Sequence, residues 1–441
     1  MNGARARNPV LLGLGVRGAA VGLRAMGLIS RFALMGFLAR YGSFSTIGAY
    51  GLIYGAALFV PPLLSFGLHY RVNRHLVMAR ADEVGGRLRD RLILHVLVFE
   101  VALLLVVVAG VAMPAVVARL GGGRLCLLAA GAALGELLLG EIHLVLVAVQ
   151  RPLRANAVYF VRSAFWVGPF IVAGLIDRRL VRIEPMMMFW IGSQGLALLT
   201  FVGLNADWPW RAILRRPVEI DWLLRDPAKA ASIWLGDVGN AASGLADRFV
   251  LGLFVTTADI GVYTFLWTLA NGTYQLVFSG VVQAGFARFC RLARAGDTPG
   301  FQRLFIAEVV NAAAVMLLLG AMTALAMPLL ARALHKSELG GQEAILLLLL
   351  AAFGVRIIAD VVNYGRYAVG RDRALATINI ALTPLVVGMD AVGARLGGIA
   401  GVAAAVLATF TLVLVARGWC LRDHLMAAAR LAQRPRAWRS T

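Results

Sequence analysis

Hydrophobic residues run through this chain in long blocks, such as Val96–Met113 and Ala344–Phe353, which are nearly free of charge. A helix needs about 20 mostly apolar residues to cross a bilayer, and windows of that length indicate twelve membrane spans. The predicted spans cover residues 18–40, 44–70, 92–116, 125–149, 155–176, 185–205, 231–255, 260–286, 304–330, 344–368, 374–393 and 397–418. We therefore expect an all-α integral membrane protein.

The composition supports this expectation, because 60% of the residues are hydrophobic and only 15% are charged. The mean hydropathy is +0.79, and so few polar residues cannot cover the surface of a soluble helical bundle of this length. The cysteines Cys126, Cys290 and Cys420 are scattered, without the spacing of metal ligands. No metal site is expected.

The charge is strongly basic, with 43 Lys and Arg against 23 Asp and Glu. A soluble protein with this balance would suggest nucleic acid, but membrane spans interrupt the cations here, so we expect no nucleic-acid partner. Alternate loops carry about three times as many Arg and Lys residues as the others, which predicts that both termini are cytoplasmic. The expected location is a bacterial inner membrane, where loop arginines attract anionic lipids.

The two halves of the chain share three short elements in the same order. They are an Arg-Phe pair (Arg31-Phe32 and Arg248-Phe249), an Ile-Gly-x-Tyr run (Ile47–Tyr50 and Ile260–Tyr263), and a Ser-containing element that ends in Gly67 or Gly280. This order predicts a duplicated six-helix unit, with an N-terminal lobe at 1–205 and a C-terminal lobe at 231–418. Because each repeat has an even number of spans, the repeats are expected to be parallel.

A polar segment at 206–230 separates the lobes, and a basic cytoplasmic tail follows at 419–441. Trp208, Trp210 and Trp222 alternate with arginines in the segment between the lobes. Indole rings favour the head-group level and arginines favour anionic lipid. We expect a cytoplasmic amphipathic linker, with partner docking as an alternative.

Polar residues inside the spans are the candidates for function, because a lipid-facing arginine costs about 2.5–3.5 kcal/mol at mid-bilayer. Arg17, Arg24 and Arg31 recur every seven residues and form one stripe on the first helix. The predicted substrate-binding residues are Arg24, Arg31, Arg162, Arg248, Arg356, Asn271, Gln275 and Asn363. The predicted ion-coupling residues are Glu136, His143, Asp237, Asp247 and Asp360.

Structural roles compete with these assignments. Arginines near helix ends can snorkel to the interface, which suits Arg17 and partly suits Arg31. Arg356 and Asp360 have the spacing of an ion pair within one helix. Glu136 and His143 could form hydrogen bonds between helices instead of binding a cation.

The polar stripes occur on spans from both halves, which predicts a central hydrated cavity between two lobes. Its ionisable groups are mostly arginines, so an anionic cargo is expected. The planar guanidinium group suits phosphate because it donates two parallel hydrogen bonds. No cofactor is expected apart from a coupling cation, H⁺ or Na⁺.

The sequence resembles the polysaccharide (O-antigen type) flippases of the multidrug/oligosaccharidyl-lipid/polysaccharide (MOP) exporter superfamily. The residues that carry the resemblance are Arg31-Phe32 through Leu38-Ala39-Arg40-Tyr41, Ile47–Tyr50, Gly67 and Arg71, then Asp247-Arg248-Phe249 through Ile260–Tyr263. The motifs are short, but the span count and duplication cover the whole chain. The short loops and the Arg- and Gly-rich first helix depart from the family's pattern.

This resemblance implies alternating access by two six-helix lobes around a V-shaped cationic cavity. The cargo it implies is an undecaprenyl-pyrophosphate-linked oligosaccharide, which crosses from the cytoplasmic to the periplasmic leaflet. This oligosaccharide would be used to make a cell-surface polysaccharide such as O-antigen lipopolysaccharide or exopolysaccharide. The pyrophosphate and sugars would meet the cavity arginines. The partners it implies include a polysaccharide polymerase or export machinery.

Other functions make different demands on the sequence. A membrane glycosyltransferase or polymerase needs acidic groups on an external loop, whereas the first predicted external loop, Tyr41–Thr46, has no carboxylate. The protein is therefore expected not to be an enzyme and to have no catalytic residues. A cation-coupled multidrug exporter of the same superfamily remains the alternative, and it would favour acidic or aromatic cavity groups. A lipid II flippase and a channel are further alternatives.

Overall fold

The structure, a computed structural model, describes residues 9–68, 76, 81–112, 122–224, 227–368 and 372–432. These residues form helices α1 (Pro9–Tyr41), α2 (Phe44–Leu64), α3 (Ala81–Ala112), α4 (Gly123–Ala148), α5 (Pro152–Ile176), α6 (Ile183–Leu204), α7 (Trp210–Arg215), α8 (Asp221–Leu224), α9 (Pro227–Phe254), α10 (Thr257–Val277, prolonged to Ala295), α11 (Thr298–Leu334), α12 (Glu343–Ala368) and α13 (Asp372–Ala432). The all-α expectation is confirmed within these ranges.

Every predicted span overlaps one of these helices. Eight helices in the described part of the chain are long and apolar enough to cross a membrane: α2 to α6, α11, α12 and the stretch Ala381–Trp419 of α13. The whole of α13 contains two predicted spans, 374–393 and 397–418, and the helix is broken near their junction at Gly398, whose φ is 56°. The other three predicted spans lie on α1, α9 and α10; polar residues lower the hydropathy of α9 and α10.

The chain divides into two compact units, an N-terminal unit of Met1–Val238 and a C-terminal unit of Gly239–Thr441. The predicted lobes at 1–205 and 231–418, the linker and the tail remain predictions. The end of the tail, 433–441, lies outside the described residues.

The segment after α6 packs against the N-terminal unit. Trp208 and Ile213 are buried in a hydrophobic cluster with Val84 and Leu88 of α3. Arg89 of α3 donates to the carbonyl oxygens of Ile213 and Arg216. Trp208 is therefore a core residue, where the sequence had suggested an indole at the lipid head groups.

A second attachment holds the start of this segment. Arg151 and Arg154 donate to Asp207 at 2.8 and 2.7 Å, and both also reach the side-chain oxygen of Asn205. The Arg154 guanidinium, together with Arg151, holds the pKa of the Asp207 carboxyl below its usual range. Paired charges thus join α5 to the residues that follow α6.

Gly67, from the repeated sequence element, fills a position that only glycine fits. Its φ is +67°, and a Cβ atom there would lie against the carbonyl oxygen of Ala230 and 2.8 Å from the nitrogen of Trp234. The Trp234 indole also donates to Leu63 O at 2.8 Å. Gly67 therefore allows the start of α9 to contact the end of α2.

Gly67→Ala is expected to destabilise the protein by about 1–3 kcal/mol, because it adds backbone strain and a clash. The measurement is the melting temperature of purified protein in detergent. Gly280→Ala is the matched control, since nothing lies within 4 Å of a Cβ atom at Gly280. Equal melting temperatures for the two variants would show that the contact with α9 is dispensable.

Candidate functional site

The N-terminal unit contains a pocket of about 330 Å³ lined by side chains of α1, α2, α4, α5 and α6. The Arg31 guanidinium lies 5.4 Å from the ring centre of Tyr54. The Arg162 guanidinium lies 5.2 Å from the ring centre of Tyr159. Both distances suit a cation–π contact, so aromatic rings hold two cations at one pocket.

Glu136 is the acidic group of this pocket. Its carboxylate pairs with Arg162 at 3.4 Å and accepts a hydrogen bond from Gln194 at 3.1 Å. Glu136 is buried, so these partners replace the water that it loses. Arg31 has no ion pair with a carboxylate among the described residues, so the pocket retains excess positive charge.

A single π-helical turn, Val161–Phe165, carries Arg162 within α5. Ser193 of α6 donates a hydrogen bond to the carbonyl oxygen of Val161, at the start of this turn. Turns of this kind are rare and occur often at functional sites. The hydrogen bond from α6 supports the irregular backbone beside the pocket.

The C-terminal unit contains a pocket of about 510 Å³, lined by residues of α9, α12 and α13. Arg356 is its central cation, and its guanidinium lies 4.9 Å from the Tyr274 ring, 5.2 Å from Phe410 and 5.8 Å from Phe353. Three rings around one guanidinium group fix its position within an apolar wall.

Asp360 balances part of the charge in this second pocket. It accepts a hydrogen bond from Tyr274 at 2.8 Å and pairs with Arg417 at 3.6 Å. The ion pair that the sequence allowed between Arg356 and Asp360 gives way to these contacts. Arg417 lies at the end of the predicted span 397–418, and the structure buries it at the pocket.

Within each unit, the arginine of the repeated Arg-Phe pair makes an equivalent contact with an aromatic ring. Arg31 lies over Tyr54, four residues after Tyr50, and Arg248 lies 4.0 Å from the ring centre of Trp267, four residues after Tyr263. An arginine on the first helix of each repeat thus covers an aromatic ring on the second, the contact expected of a duplicated unit.

Two buried carboxylates lie near this contact in the C-terminal unit. Asp247 accepts hydrogen bonds from the Tyr263 hydroxyl at 2.7 Å and from the backbone nitrogen of Arg248. Asp390 of α13 is 1% exposed and close enough to feel the charge of Asp247. One oxygen of Asp390 has no hydrogen-bond partner among the described residues.

The remaining predicted site residues occupy varied places. The His143 Nδ1 atom lies 3.2 Å from the carbonyl oxygen of Ala155, in line with a structural role. Gln275 is exposed, while Asn271, Asn363 and Asp237 are half-buried. The Arg24 side chain lies outside the described residues.

The sequence analysis missed the aromatic residues that hold the cations. Tyr54, Tyr159, Tyr274 and Phe410 lie in spans where rings are common, so nothing local distinguishes them. Asp390 stands alone in an apolar stretch, and this isolation could have identified it, since buried charges in spans are costly.

No protein-family model matches the chain, and no curated protein sequence matches it. Its fold is similar to that of an inward-facing multidrug resistance MATE family transporter of the MOP superfamily, with a TM-score of 0.66 and 13% identity over 93% of this chain and 98% of that one. It is also similar to the lipid II flippase MurJ in an inward closed conformation, with a TM-score of 0.68 and 12% identity over 94% and 90%.

A mutant of the Vibrio cholerae MATE transporter VcmN has a TM-score of 0.53 and 16% identity, over 93% of this chain and 98% of that one. At these identities the comparisons establish the fold alone, which this chain shares with MATE transporters and with MurJ. These relatives in fold are transporters and a flippase.

Proposed function

We propose that the protein flips an anionic undecaprenyl-pyrophosphate-linked oligosaccharide from the cytoplasmic to the periplasmic leaflet of a bacterial inner membrane, by alternating access, for cell-surface polysaccharide. Both termini are cytoplasmic in this proposal. The similarity in fold to a lipid II flippase supports a lipid-linked cargo. A polysaccharide polymerase or export complex would use the product.

The charge of the two pockets carries this proposal. Arg31 and Arg162 stand against Glu136 in the N-terminal unit, and Arg356 and Arg417 stand against Asp360 in the C-terminal unit. Each pocket therefore has more positive than negative groups at a depth where unpaired charge is costly. An anionic cargo would compensate this charge, and a cationic drug would increase it.

The cation–π contacts support phosphate as the anionic group. A ring that stacks on a guanidinium face leaves the N–H groups at its edge free to donate. These groups match two phosphate oxygens, and in a site shielded from water such charged hydrogen bonds are about twice as strong as neutral ones. Arg31 and Arg356 both lie beside aromatic rings, and neither pairs with a carboxylate in the described part of the chain.

Transport of a cationic or neutral drug is the second candidate. The aromatic walls, the buried Glu136 and the half-buried Asp360 support it, as does the fold shared with multidrug MATE transporters. In this alternative, the carboxylates would release their arginines to bind a proton, a sodium ion or the drug. The two candidates differ in the charge of the cargo.

The test uses purified protein in liposomes that carry a fluorescent undecaprenyl-pyrophosphate oligosaccharide in both leaflets. A membrane-impermeant quencher bleaches the outer leaflet, and the protected fraction should fall from about half towards zero only if the protein flips the lipid. Arg356→Ala liposomes should retain the protected fraction of protein-free liposomes. Uptake of a lipophilic cation with no effect on the labelled lipid would establish the drug exporter instead.

We further propose that Asp247 and Asp390 bind the coupling cation, H⁺ or Na⁺. Both carboxylates are buried and Asp390 feels the charge of Asp247, and two interacting buried carboxylates favour a bound proton or metal cation. Tyr263 donates to one oxygen of Asp247 and the backbone nitrogen of Arg248 donates to the other, whereas one oxygen of Asp390 has no hydrogen-bond partner among the described residues and would bind the cation.

Asp390→Asn is expected to slow flipping by at least about tenfold under an imposed ion gradient and to remove its dependence on that gradient. The readout is the initial rate with a pH or sodium gradient compared with the rate without one. Asp259→Asn is the control, because Asp259 caps the start of α10 within a local capping box. A gradient response that persists in Asp390→Asn would exclude this pair as the coupling site.

A further inference from the structure

An apolar crevice of about 920 Å³ opens in the N-terminal unit between α3, α6 and α7. Its walls include Leu92, Val96 and Leu97 of α3, Phe201 of α6, and Trp210 and Leu214 of α7. None of the residues that line the Arg31 pocket lines this crevice. It is therefore a separate cavity with a different chemistry.

The polar groups at this crevice are few. Arg89 lies at its wall, but its guanidinium donates to the carbonyl oxygens of Ile213 and Arg216. Glu100 is exposed. A cavity walled by hydrocarbon and indole binds water poorly and takes up apolar molecules. The natural occupant is a hydrocarbon chain.

Cations lie beside the crevice on the same short helix that forms its wall. Arg211 and Arg215 of α7 are exposed and one helical turn apart, and neither pairs with a carboxylate among the described residues. The distribution of arginines among the loops places this segment at the cytoplasmic face, where anionic head groups occur. Positive charge next to an apolar crevice matches a lipid with an anionic head group.

Trp208 supplies a second indication of a ligand. It lines the crevice and is 4% exposed, and its indole nitrogen has no hydrogen-bond acceptor among the described residues. A buried donor without a partner is costly. A phospholipid carries ester carbonyl oxygens between its head group and its chains, so it offers an acceptor near that depth.

We propose that this crevice is a binding site for an anionic phospholipid, with one acyl chain between α3 and α7 and the head group on Arg211 and Arg215. The bound lipid would fill the gap between the transmembrane helix α3 and the segment after α6. The proposal does not depend on the cargo of the transporter.

The test is native mass spectrometry of the full-length protein in detergent, titrated with phosphatidylglycerol or with phosphatidylcholine of the same chains. Leu97→Trp fills the crevice and should weaken phosphatidylglycerol binding about tenfold, since it excludes several methylene groups. Leu104→Trp is the matched control, because it lies two turns later on α3 at similar exposure and outside the crevice lining.

Replacement of Arg211 and Arg215 by alanine should reduce the preference for phosphatidylglycerol over phosphatidylcholine about fivefold per arginine. Leu214→Glu provides a second crevice variant, because Leu214 is 69% exposed and its replacement is expected to leave the fold intact. It should weaken binding as Leu97→Trp does.

Unchanged phosphatidylglycerol binding in both crevice variants, or an equal loss in Leu104→Trp, would overturn the proposal. A third titration uses undecaprenyl phosphate. If this lipid displaces phosphatidylglycerol from the unmodified protein and loses that ability in Leu97→Trp, the crevice belongs to the polyprenyl chain of the cargo, and the phospholipid assignment is wrong.

Discussion

Replacement of Arg31 or Arg356 by alanine is expected to abolish transport of the lipid-linked oligosaccharide and to leave the protein folded. Each variant removes a guanidinium group that rests on aromatic rings and is not neutralised by a carboxylate among the described residues. A hydrogen bond to a charged group contributes about 1.5–3 kcal/mol, so cargo affinity should fall about 10- to 150-fold in each variant. Flipping in liposomes and the amount of surface polysaccharide in cells are the measurements.

Replacement of these arginines by lysine distinguishes the effect of the positive charge from the effect of the planar guanidinium group. Arg356→Lys keeps the charge but loses the planar guanidinium group beside Tyr274 and its capacity for two parallel hydrogen bonds, so transport should be intermediate. Arg332→Ala removes an exposed arginine at the end of α11 and should have no effect. Normal transport in Arg31→Ala and Arg356→Ala would refute phosphate binding by these pockets, while loss of folded protein would assign both arginines to structure.

Hydrophobic pattern alone was enough to predict the helical architecture. The spans are long and apolar because lipid surrounds them, and each overlaps a helix of the structure. The break at Gly398 also agrees with the pattern, since two spans were predicted where one long helix is found. A segment that crosses the bilayer must be a continuous run of mostly apolar residues in a helix, and such a run is visible in the sequence itself.

The pairing of side chains was not predictable in the same way. The spacing within α12 suggested an ion pair between Arg356 and Asp360. In the structure, Asp360 forms its ion pair with Arg417 of α13 instead. The sequence pattern treats each helix by itself, whereas ion pairs form between helices that are distant in the chain. The Arg31–Tyr54 contact has an equivalent in Arg248–Trp267. The repeated Arg-Phe element therefore identified both arginines, but not the aromatic rings that they contact.

Arg91, just before a predicted span, is a second residue whose ion pair could not be predicted from the sequence pattern. It directly precedes the predicted span 92–116, in a predicted loop, but the structure buries it completely in the N-terminal unit. It donates to Glu141 of α4 at 2.8 Å, and the His95 ring lies 3.7 Å from the same carboxylate. This group of charges joins α3 to α4 inside the protein.

Glu141→Ala is expected to destabilise the protein by about 3–5 kcal/mol, because it leaves the Arg91 charge buried without its partner. Glu184→Ala is the matched control. Its partner Arg124 lies at 3.4 Å and is 68% exposed, and an exposed pair of this kind contributes at most about 1 kcal/mol. Thermal unfolding of both variants in detergent should therefore show a large decrease for the first and almost none for the second.

The double variant Arg91→Met with Glu141→Leu decides what the buried pair contributes. It removes both charges together and fills the site with hydrocarbon, so its stability should lie close to that of the unmodified protein. Recovery in the double variant would show that the large loss in Glu141→Ala comes from the stranded arginine. If the double variant is as unstable as Glu141→Ala, the pair itself holds α3 against α4, because two apolar side chains of similar size cannot replace it.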